Sequence, residues 1–399
     1  MGGQNIVQIK KLNQSLILRT LLENGPLSRT SIGELTKLTP ATITAQVSEL
    51  IDNGIVAETG LISQTSGAGR PLILLDLVED SRMALGIELG VSSIHLGLVN
   101  LKGRLLTQRE WPYLSTDSQE VLEAFPSYCQ TFLHDLYVPP SQLIGIGISV
   151  SGVVDATHGI IRRFPALHWE ELHITELLKE KLPQLAIENN VRLMALREKL
   201  YGLGRNSQNL ILIHIGHGIG CGMILEGQIY HGMADGAGEL GHITVKPNGL
   251  LCTCGKRGCL ETMAGGWGMI REAQTQIHNG VHSVLSKNAL ITPEVIFNSA
   301  RAGDELAMNI VKTAIEQIGY AMSTIINLLN PELLVLSGTI WNDRPFCLAI
   351  LKPILEQTIL DGAQVLERIR FASFDPKTAA LIGSGVLALQ KFFYEPIPD

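Results

Sequence analysis

The chain has 399 residues, of which 45% are hydrophobic and 17% are charged, and its formal net charge is −7 at pH 7. This composition argues against a largely disordered chain, and the length predicts two or three folded domains. No run of 18 uncharged apolar residues occurs, and the opening MGGQNIVQIKKLNQ lacks the apolar stretch of a secretory signal. Neither secretion nor membrane spanning is therefore expected, and a cytoplasmic location is predicted.

The charge is spread unevenly along the chain. Residues 1–75 contain six Lys or Arg and five Asp or Glu, so the rest of the chain carries the whole acidic excess. An acidic surface repels DNA. Any contact with nucleic acid must therefore come from the N-terminal segment.

Three helices are predicted in the first 54 residues. Apolar residues at helical spacing indicate the first one, namely Leu12, Leu16, Ile17 and Leu21. Ser28 is a candidate N-cap for a second helix with Ile32 and Leu35 on its apolar face. Thr39 is a candidate N-cap for a third, with Pro40 at the first position, where a missing N–H costs no hydrogen bond. Two helices joined by so short a turn are typical of a helix-turn-helix.

The outward face of the third helix is small and polar, and it carries no arginine. Such a face fits closely into a major groove, where Gln can pair with adenine and Thr can meet a base edge or a phosphate. The candidate DNA contacts are Thr39, Ala41, Thr42, Thr44, Ala45, Gln46 and Ser48. The alternative is a small helical interaction module that does not touch DNA.

A β-hairpin wing is predicted after this helix. In IVAETGLISQTSGAGRPLILLDL, two apolar stretches flank a loop rich in Ser, Thr and Gly. Arg70 lies at the tip of this hairpin, where an arginine can enter a minor groove.

The pattern changes near residue 83 to strands alternating with helices. MALGIELGVSSIHLGLVNLKGRLL and NLILIHIGHGIGCGMILEGQIYHG each predict a hairpin, and helices follow both. We therefore predict an α/β chain in which an actin-like or ribonuclease-H-like body has two lobes with a cleft between them. The predicted domains are a winged helix-turn-helix over 1–78, a first α/β lobe over 79–190 completed by a helix over 377–394, and a second α/β lobe over 191–376.

A metal site is predicted in the second lobe. Its ligands have the spacing H-x9-C-x-C-x4-C and are His242, Cys252, Cys254 and Cys259. Cys3His is a common structural zinc set, and four protein ligands leave no open position for catalysis. The alternative is a cluster of free thiols. The isolated Cys129, Cys221 and Cys347 are expected to be buried inert thiols.

Two carboxylates flank this metal set. Glu239 precedes His242 by three residues, and Glu261 follows Cys259 by two. A metal that joins these segments would bring the carboxylates close together. Because each sugar hydroxyl both donates and accepts hydrogen bonds, carboxylates together with a histidine predict a site for a polyhydroxyl ligand.

GAGELGH followed by CTCGKRGCLE resembles the signature of the ROK family, which comprises bacterial repressors and sugar kinases. The N-terminal IKKLNQSLILRTLLENGPLSR is similar to ROK repressors of the xylose and N-acetylglucosamine type. The resemblance implies a structural zinc ion on the four ligands above. It also implies sugar contacts, which we expect from Asn189, Asn190, Glu239, His242 and Glu261.

The chain departs from the pattern of the ROK kinases. Asn190 stands where the kinases have the aspartate base, and an amide cannot accept a proton near neutral pH. In the phosphate loop, Glu88 lengthens the acid and Val91 replaces a glycine. In the second phosphate block, His217 and Cys221 replace a hydroxyl residue and a glycine. Phosphoryl transfer is therefore not expected.

The expected function is a sugar-responsive repressor. Homodimers, or tetramers built from them, would bind a palindromic operator and release it when a sugar or sugar phosphate binds. Two alternatives remain at this point: an active ROK sugar kinase that keeps a regulatory head, and a repressor controlled by a protein partner.

Overall fold

A computed structural model describes residues 2–63, 72–90, 92–182, 184–360 and 366–394. Arg70 and Val91 lie outside these residues. The chain divides into two compact units, Met1–Tyr201 together with Thr378–Asp399, and Gly202–Lys377. No helix within the described ranges is both long and apolar enough to cross a membrane.

The first unit begins with a winged helix-turn-helix, as predicted. Its strands pair in the order β1–β3–β2. The elements are α1 (Gly2–Asn24), β1 (Leu27–Ser28), α2 (Arg29–Thr36), α3 (Pro40–Asp52), β2 (Val56–Ser63) and β3 (Leu72–Leu77).

Both predicted helix caps are confirmed. The Ser28 hydroxyl accepts a hydrogen bond from the N–H of Ser31 at 3.1 Å, and the Thr39 hydroxyl accepts one from the N–H of Thr42 at 3.2 Å. Each bond satisfies a helix N–H that would otherwise lack a partner, and a cap of this kind contributes about 1 kcal/mol. The starts of α2 and α3 are therefore set by the local sequence.

The apolar residues of the winged helix-turn-helix, which we call the head, are not all buried in its core. Leu12, Leu16 and Leu35 are 48%, 36% and 55% exposed, although their spacing suggested a buried face. The three helices and strand β3 pack on one another through a narrower set of buried residues: Ile17, Leu18, Leu21, Ile32, Ile43, Val47, Leu50 and Leu75. The spacing thus predicted the helices correctly but not which apolar side chains are covered.

The rest of the first unit is a five-stranded sheet in the order β11–β7–β4–β5–β6 and a small three-stranded sheet of β8, β9 and β10. Strands β4, β7 and β11 are parallel, whereas β4, β5 and β6 form an antiparallel meander. The elements are β4 (Met83–Leu89), β5 (Ser93–Asn100), β6 (Leu105–Pro112), α4 (Ser118–Asp135), β7 (Leu143–Val150), β8 (Val153–Asp155), β9 (Ile160–Phe164), β10 (Trp169–Leu172), α5 (Ile174–Leu178), β11 (Leu185–Asn189), α6 (Asn190–Tyr201) and α12 (Ala379–Tyr394).

The second unit repeats this plan around a sheet in the order β14–β13–β12–β15–β16. An antiparallel hairpin is again followed by parallel strands. The elements are β12 (Leu210–Ile215), β13 (Ile219–Leu225), β14 (Gln228–Ile229), α7 (Glu261–Ala264), α8 (Gly266–His278), α9 (Pro293–Arg301), α10 (Glu305–Leu329), β15 (Leu333–Ser337), α11 (Arg344–Thr358) and β16 (Ile369–Phe371). The long helix α10 carries much of the core, including Ile310, Ala314, Ile318 and Met322.

Helix α6 belongs to the first unit, whereas the sequence placed the boundary before it, after residue 190. The helix packs on α12 and is buried around most of its circumference. The approach is so close that a Cβ on Gly383 would lie 2.7 Å from the carbonyl oxygen of Leu193. The unit boundary therefore falls after Tyr201.

Glycines let α12 pack closely on the sheet. A Cβ on Gly86 would lie 2.5 Å from the carbonyl oxygen of Leu381, and one on Gly147 would overlap the carbonyl oxygen of Ser384. Because the atoms met are backbone atoms, they cannot move aside as a flexible side chain would.

We expect Gly147→Ala to lower the free energy of unfolding by about 1–3 kcal/mol, the usual cost of overpacking a close contact. Urea denaturation of the full chain measures it. The matched control is Gly236→Ala, where the added methyl group would meet nothing closer than 3.9 Å. Equal stability of the two variants would show that α12 is not held this closely.

Candidate DNA, metal and effector sites

Helix α3 exposes most of the predicted DNA-contact residues. Thr39, Ala41, Thr44, Ala45 and Ser48 are exposed, and Thr42 is half-buried. The opposite face, Ile43, Val47 and Leu50, anchors the helix in the core of the head. Because one face of α3 is buried and the opposite face carries small side chains, the helix can approach a DNA groove closely.

Gln46 is placed differently from its neighbours on α3. The residue is half-buried, and its Oε1 atom is enclosed without a hydrogen-bond partner among the described residues. The carbonyl oxygen that would accept from adenine is therefore turned inward in this arrangement. Arg70, the predicted minor-groove residue, lies outside the described part of the chain.

The predicted metal ligands come together in the second unit. The side-chain donor atoms of His242, Cys252, Cys254 and Cys259 all lie within 4.8 Å of one another. The His242 Nδ1 atom is 3.6 Å from the Cys252 Sγ atom, and the Sγ atoms of Cys254 and Cys259 are also 3.6 Å apart.

Two glycines shape the loop that carries the cysteines. Gly255 and Gly258 have φ values of 87° and 72°, which a residue with a side chain rarely adopts. A Cβ on Gly258 would also overlap the carbonyl oxygen of Lys246. The loop can therefore turn back on itself and direct three sulfur atoms to one point.

The donor set fits a tetrahedral ion. Zn–S bonds of about 2.3 Å and Zn–N bonds of about 2.0 Å place neighbouring ligand atoms about 3.5–3.8 Å apart, which includes both measured separations. Burial and the neighbouring thiols together raise the pKa of Cys259 to about 12. Three ionised sulfurs so close together require a cation.

Glu261 is fixed in place at the start of α7. It is 9% exposed, its Oε2 accepts from the N–H of Ile219 at 3.0 Å, and its Oε1 accepts from the Trp267 indole at 3.1 Å. A Cβ on Gly218 would overlap this carboxylate. The glycine turn between β12 and β13 therefore makes room for Glu261, and each oxygen keeps lone-pair capacity for a ligand hydroxyl.

Glu239 lies on the other side of the metal ligands. It is exposed, and its Oε2 is 3.8 Å from the Nε2 of His242. The His242 ring thus has Nδ1 beside Cys252 and Nε2 facing Glu239. With Nδ1 on a metal, the Nε2–H group remains a donor beside an accepting carboxylate.

Asn189 and Asn190 lie in the first unit, where β11 meets α6. The Asn189 side chain caps α6: its Oδ1 accepts from the N–H groups of Val191 and Arg192 at 2.9 and 3.2 Å. Its Nδ2 donates to the carbonyl oxygen of Gly152 at 2.9 Å. One amide hydrogen of Asn189 is left for a ligand.

Asn190 has a different partner. Its Nδ2 donates to the Ser151 hydroxyl at 2.9 Å. The side chain is therefore held by the turn after β7, and its amide is a hydrogen-bonding group rather than a base.

Glu88, at the end of β4, lies opposite Ser149 of β7, whose hydroxyl is buried and unpartnered within the described residues. Burial raises the pKa of Glu88 to about 7. Burial and the charge of Glu88 together raise the pKa of Tyr113, whose hydroxyl donates to the carbonyl oxygen of Gly90 at 3.2 Å. Glu88 is therefore a buried acid that binds its proton far more tightly than an exposed glutamate does.

We compared the chain with known proteins. The ROK family model matches residues 84–391, and a model for a winged helix-turn-helix DNA-binding domain matches residues 12–57. The chain belongs to the ROK family.

Two relatives of this ROK protein match most of its length. The xylose repressor of Bacillus subtilis (strain 168) is 30% identical over 342 residues, which cover 85% of each chain. The DNA-binding transcriptional dual regulator NagC of Escherichia coli (strain K12) is 29% identical over 374 residues, 92% of this chain and 90% of that protein.

The chain also matches solved structures. A ROK family transcriptional regulator, described as a homologue of the E. coli MLC protein, has a TM-score of 0.82 at 28% identity and covers 97% of both chains. A ROK hexokinase from Thermus thermophilus has a TM-score of 0.63 at 24% identity, over 76% of this chain and 97% of that one. The second match shows the fold alone.

Sequence reasoning missed several residues that hold the sites of this ROK protein. Ser151 and Gly152 bind the two asparagines, and Gly218 and Trp267 position Glu261. The Ser-Gly pair at a strand end and the repeated glycines between β12 and β13 were available signals. Lys37 is a further exposed cation beside α3, in the turn that ends α2 with φ 61°.

We expect Glu88→Gln to change how stability depends on pH. The carboxyl group binds its proton more tightly in the folded chain than in the unfolded one. Its contribution to the free energy of unfolding is therefore fully present below about pH 4.5. As the pH rises through about 7, the free energy of unfolding falls by up to about 3 kcal/mol. Urea unfolding should show the variant more stable than the wild type at pH 8, with a smaller gain at pH 5. Glu170→Gln, a change at an exposed position of β10, should show neither effect. A constant difference at both pH values would mean that Glu88 is not buried as described.

Proposed function

We propose that this protein is a transcriptional repressor that leaves its operator when it binds a sugar or a sugar phosphate. One observation carries the proposal: a winged helix-turn-helix with an exposed, small and polar α3 precedes a ROK body in one chain. Relatives named as repressors match 85–92% of this chain, and separate family models match the head and the body.

The winged head is proposed to bind DNA through α3. Thr39, Thr42, Thr44 and Ser48 offer hydroxyl groups for base edges or phosphates, and the alanines allow a close approach. The head carries little net charge, and two of its cations are paired with carboxylates, Lys10 with Glu49 at 2.7 Å and Arg29 with Glu58 at 3.1 Å. Affinity is therefore expected to depend on two heads acting together, as in a homodimer or a tetramer on a palindromic operator.

We assign Zn2+ to the ligands His242, Cys252, Cys254 and Cys259. Four protein donors at tetrahedral spacing suit this ion, and they leave no open coordination position. The metal's proposed role is structural: it fixes the loop that carries Glu239 and His242.

Each unit offers groups suited to sugar hydroxyls. In the second unit, Glu239 and Glu261 would accept and the Nε2–H of His242 would donate. In the first unit, Asn189 keeps one amide hydrogen, and Asn190 is the neighbouring amide. The amide of Asn190 cannot take a proton from a hydroxyl group, so we propose binding without phosphoryl transfer.

The functional test uses operator DNA selected by the wild-type protein from a random duplex library. We expect D-xylose, N-acetylglucosamine or glucose 6-phosphate to weaken operator binding at least about tenfold in fluorescence anisotropy. Glu261→Gln should keep operator binding but lose the response to the sugar, because a neutral amide replaces the fixed acceptor. Ser48→Asp should lose operator binding because it places a charge against the phosphates.

Three outcomes would contradict the proposal. The first is that wild-type protein selects no DNA. The second is that none of the sugars alters operator binding, whereas proteins captured from a cell extract on the ROK body do alter it. That result would favour control by a protein partner. The third is sugar-dependent ATP turnover in a coupled assay, abolished by Glu239→Ala, which would identify a kinase.

The metal assignment has its own test. Purified protein is expected to contain one zinc per chain by elemental analysis, and Cys254→Ser is expected to lose it, because three ligands hold the ion far less tightly. The thermal midpoint of the variant should also fall. Thr253→Ala, a change at an exposed residue of the same loop, should retain the metal. Full zinc content in Cys254→Ser would exclude this ligand set.

A further inference from the structure

The DNA-binding head contacts the last helix of the chain through three side chains of the first unit. The Arg19 Nε atom donates to the Glu23 Oε1 atom at 2.8 Å, and the Tyr394 hydroxyl donates to the same oxygen at 3.1 Å. The Arg19 guanidinium carbon lies 4.4 Å from the centre of the Tyr394 ring. Each of the three groups therefore contacts both others.

In this set, which we call the clasp, the Tyr394 phenol stays protonated over the physiological pH range. Burial and the nearby charge of Glu23 raise the pKa of Tyr394 to about 12, so the phenol remains a donor. Tyr394 takes part in two interactions at once: the Arg19 guanidinium lies over its ring, and its hydroxyl donates a hydrogen bond to the Glu23 carboxylate. The clasp is therefore more specific than an isolated ion pair on a helix surface.

Among the described residues, a further polar contact between the head and the lobe lies where the wing enters the lobe: the Lys102 Nζ atom is 2.5 Å from an oxygen of Asp76, and these side chains are 33% and 17% exposed. Helix α1 also packs directly on α12, and the clasp adds a specific polar restraint to that contact. Breaking the clasp is therefore expected to loosen the hold of α12 on α1.

The clasp is connected by packed helices to a candidate sugar-binding residue, Asn189. Tyr394 ends α12, which packs on β4, β7, β11 and α6. Helix α6 begins at Asn190, and the side chain of Asn189 caps it. A change at this cap can shift α6 and α12 as packed bodies, and α12 carries the tyrosine that holds α1.

We propose that the clasp of Arg19, Glu23 and Tyr394 holds the DNA-binding head in its operator-binding orientation and transmits the effect of sugar to it. This inference rests on the proposed function. These three are positioning residues: none of them is assigned a contact with DNA or sugar.

The test compares Tyr394→Ala and Tyr394→Phe with two controls in the full-length chain. Tyr320→Ala changes a half-exposed tyrosine of α10 in the second unit, and Lys312→Ala breaks an ion pair to Glu316 with the same helical spacing as Arg19 and Glu23. The readouts are the operator dissociation constant with and without D-xylose, N-acetylglucosamine or glucose 6-phosphate, and the sugar dissociation constant by calorimetry.

Tyr394→Ala is expected to weaken operator binding about tenfold and to shrink the sugar-induced change by a similar factor, with sugar affinity unchanged. Tyr394→Phe keeps the ring over Arg19 and should have a smaller effect. The controls should match the wild type. Operator affinity and sugar response of Tyr394→Ala within twofold of the wild type would overturn the proposal.

A failure of the proposed function would be visible separately, in the wild-type protein. If that protein bound no selected DNA or ignored the sugars, hydrogen exchange of the α1 amides would still test the clasp. Tyr394→Ala should then exchange faster than Tyr320→Ala over α1. Equal exchange would refute the clasp as a restraint on the head.

Discussion

The close packing of α12 against the five-stranded sheet determines much of the first unit. Gly86 and Gly147 let the helix backbone approach the strands, and α6 packs against the same helix. The position of Tyr394 at its end follows from this packing. A shift of α12 would therefore move the contact with α1, because the helix backbone meets the strands directly at Gly86 and Gly147.

In the second unit, the proposed metal ligands lie in a segment with few apolar contacts. Between β14 and α7 the chain forms one 3₁₀ turn, Leu240–His242, and exposes Ile243 and Leu251. The proposed metal would stabilise this segment by coordination rather than by buried surface. The Glu261 carboxylate is held differently, by two hydrogen bonds and the space over Gly218, so the two halves of this site have separate structural supports.

Features with local causes could be predicted from the sequence. The caps at Ser28 and Thr39 depend on neighbouring residues, and the spacing of His242 and the cysteines is a metal pattern in itself. Other features depend on distant contacts. The exposure of Leu12 and Leu35 depends on which helix faces are covered, and α6 has no polar face that would reveal its partner. Contact between Glu23 and Tyr394 joins residues 371 positions apart, and nothing local signals it.

The turn at Gly258 has a consequence for which substitutions the metal loop tolerates. Lys246 contributes its backbone oxygen there, and the missing side chain of Gly258 is what lets the two backbones meet. Position 246 can therefore accept many side chains, whereas position 258 can accept none. Trimming a neighbouring side chain would not relieve the overlap, so no second substitution nearby can restore a variant at Gly258.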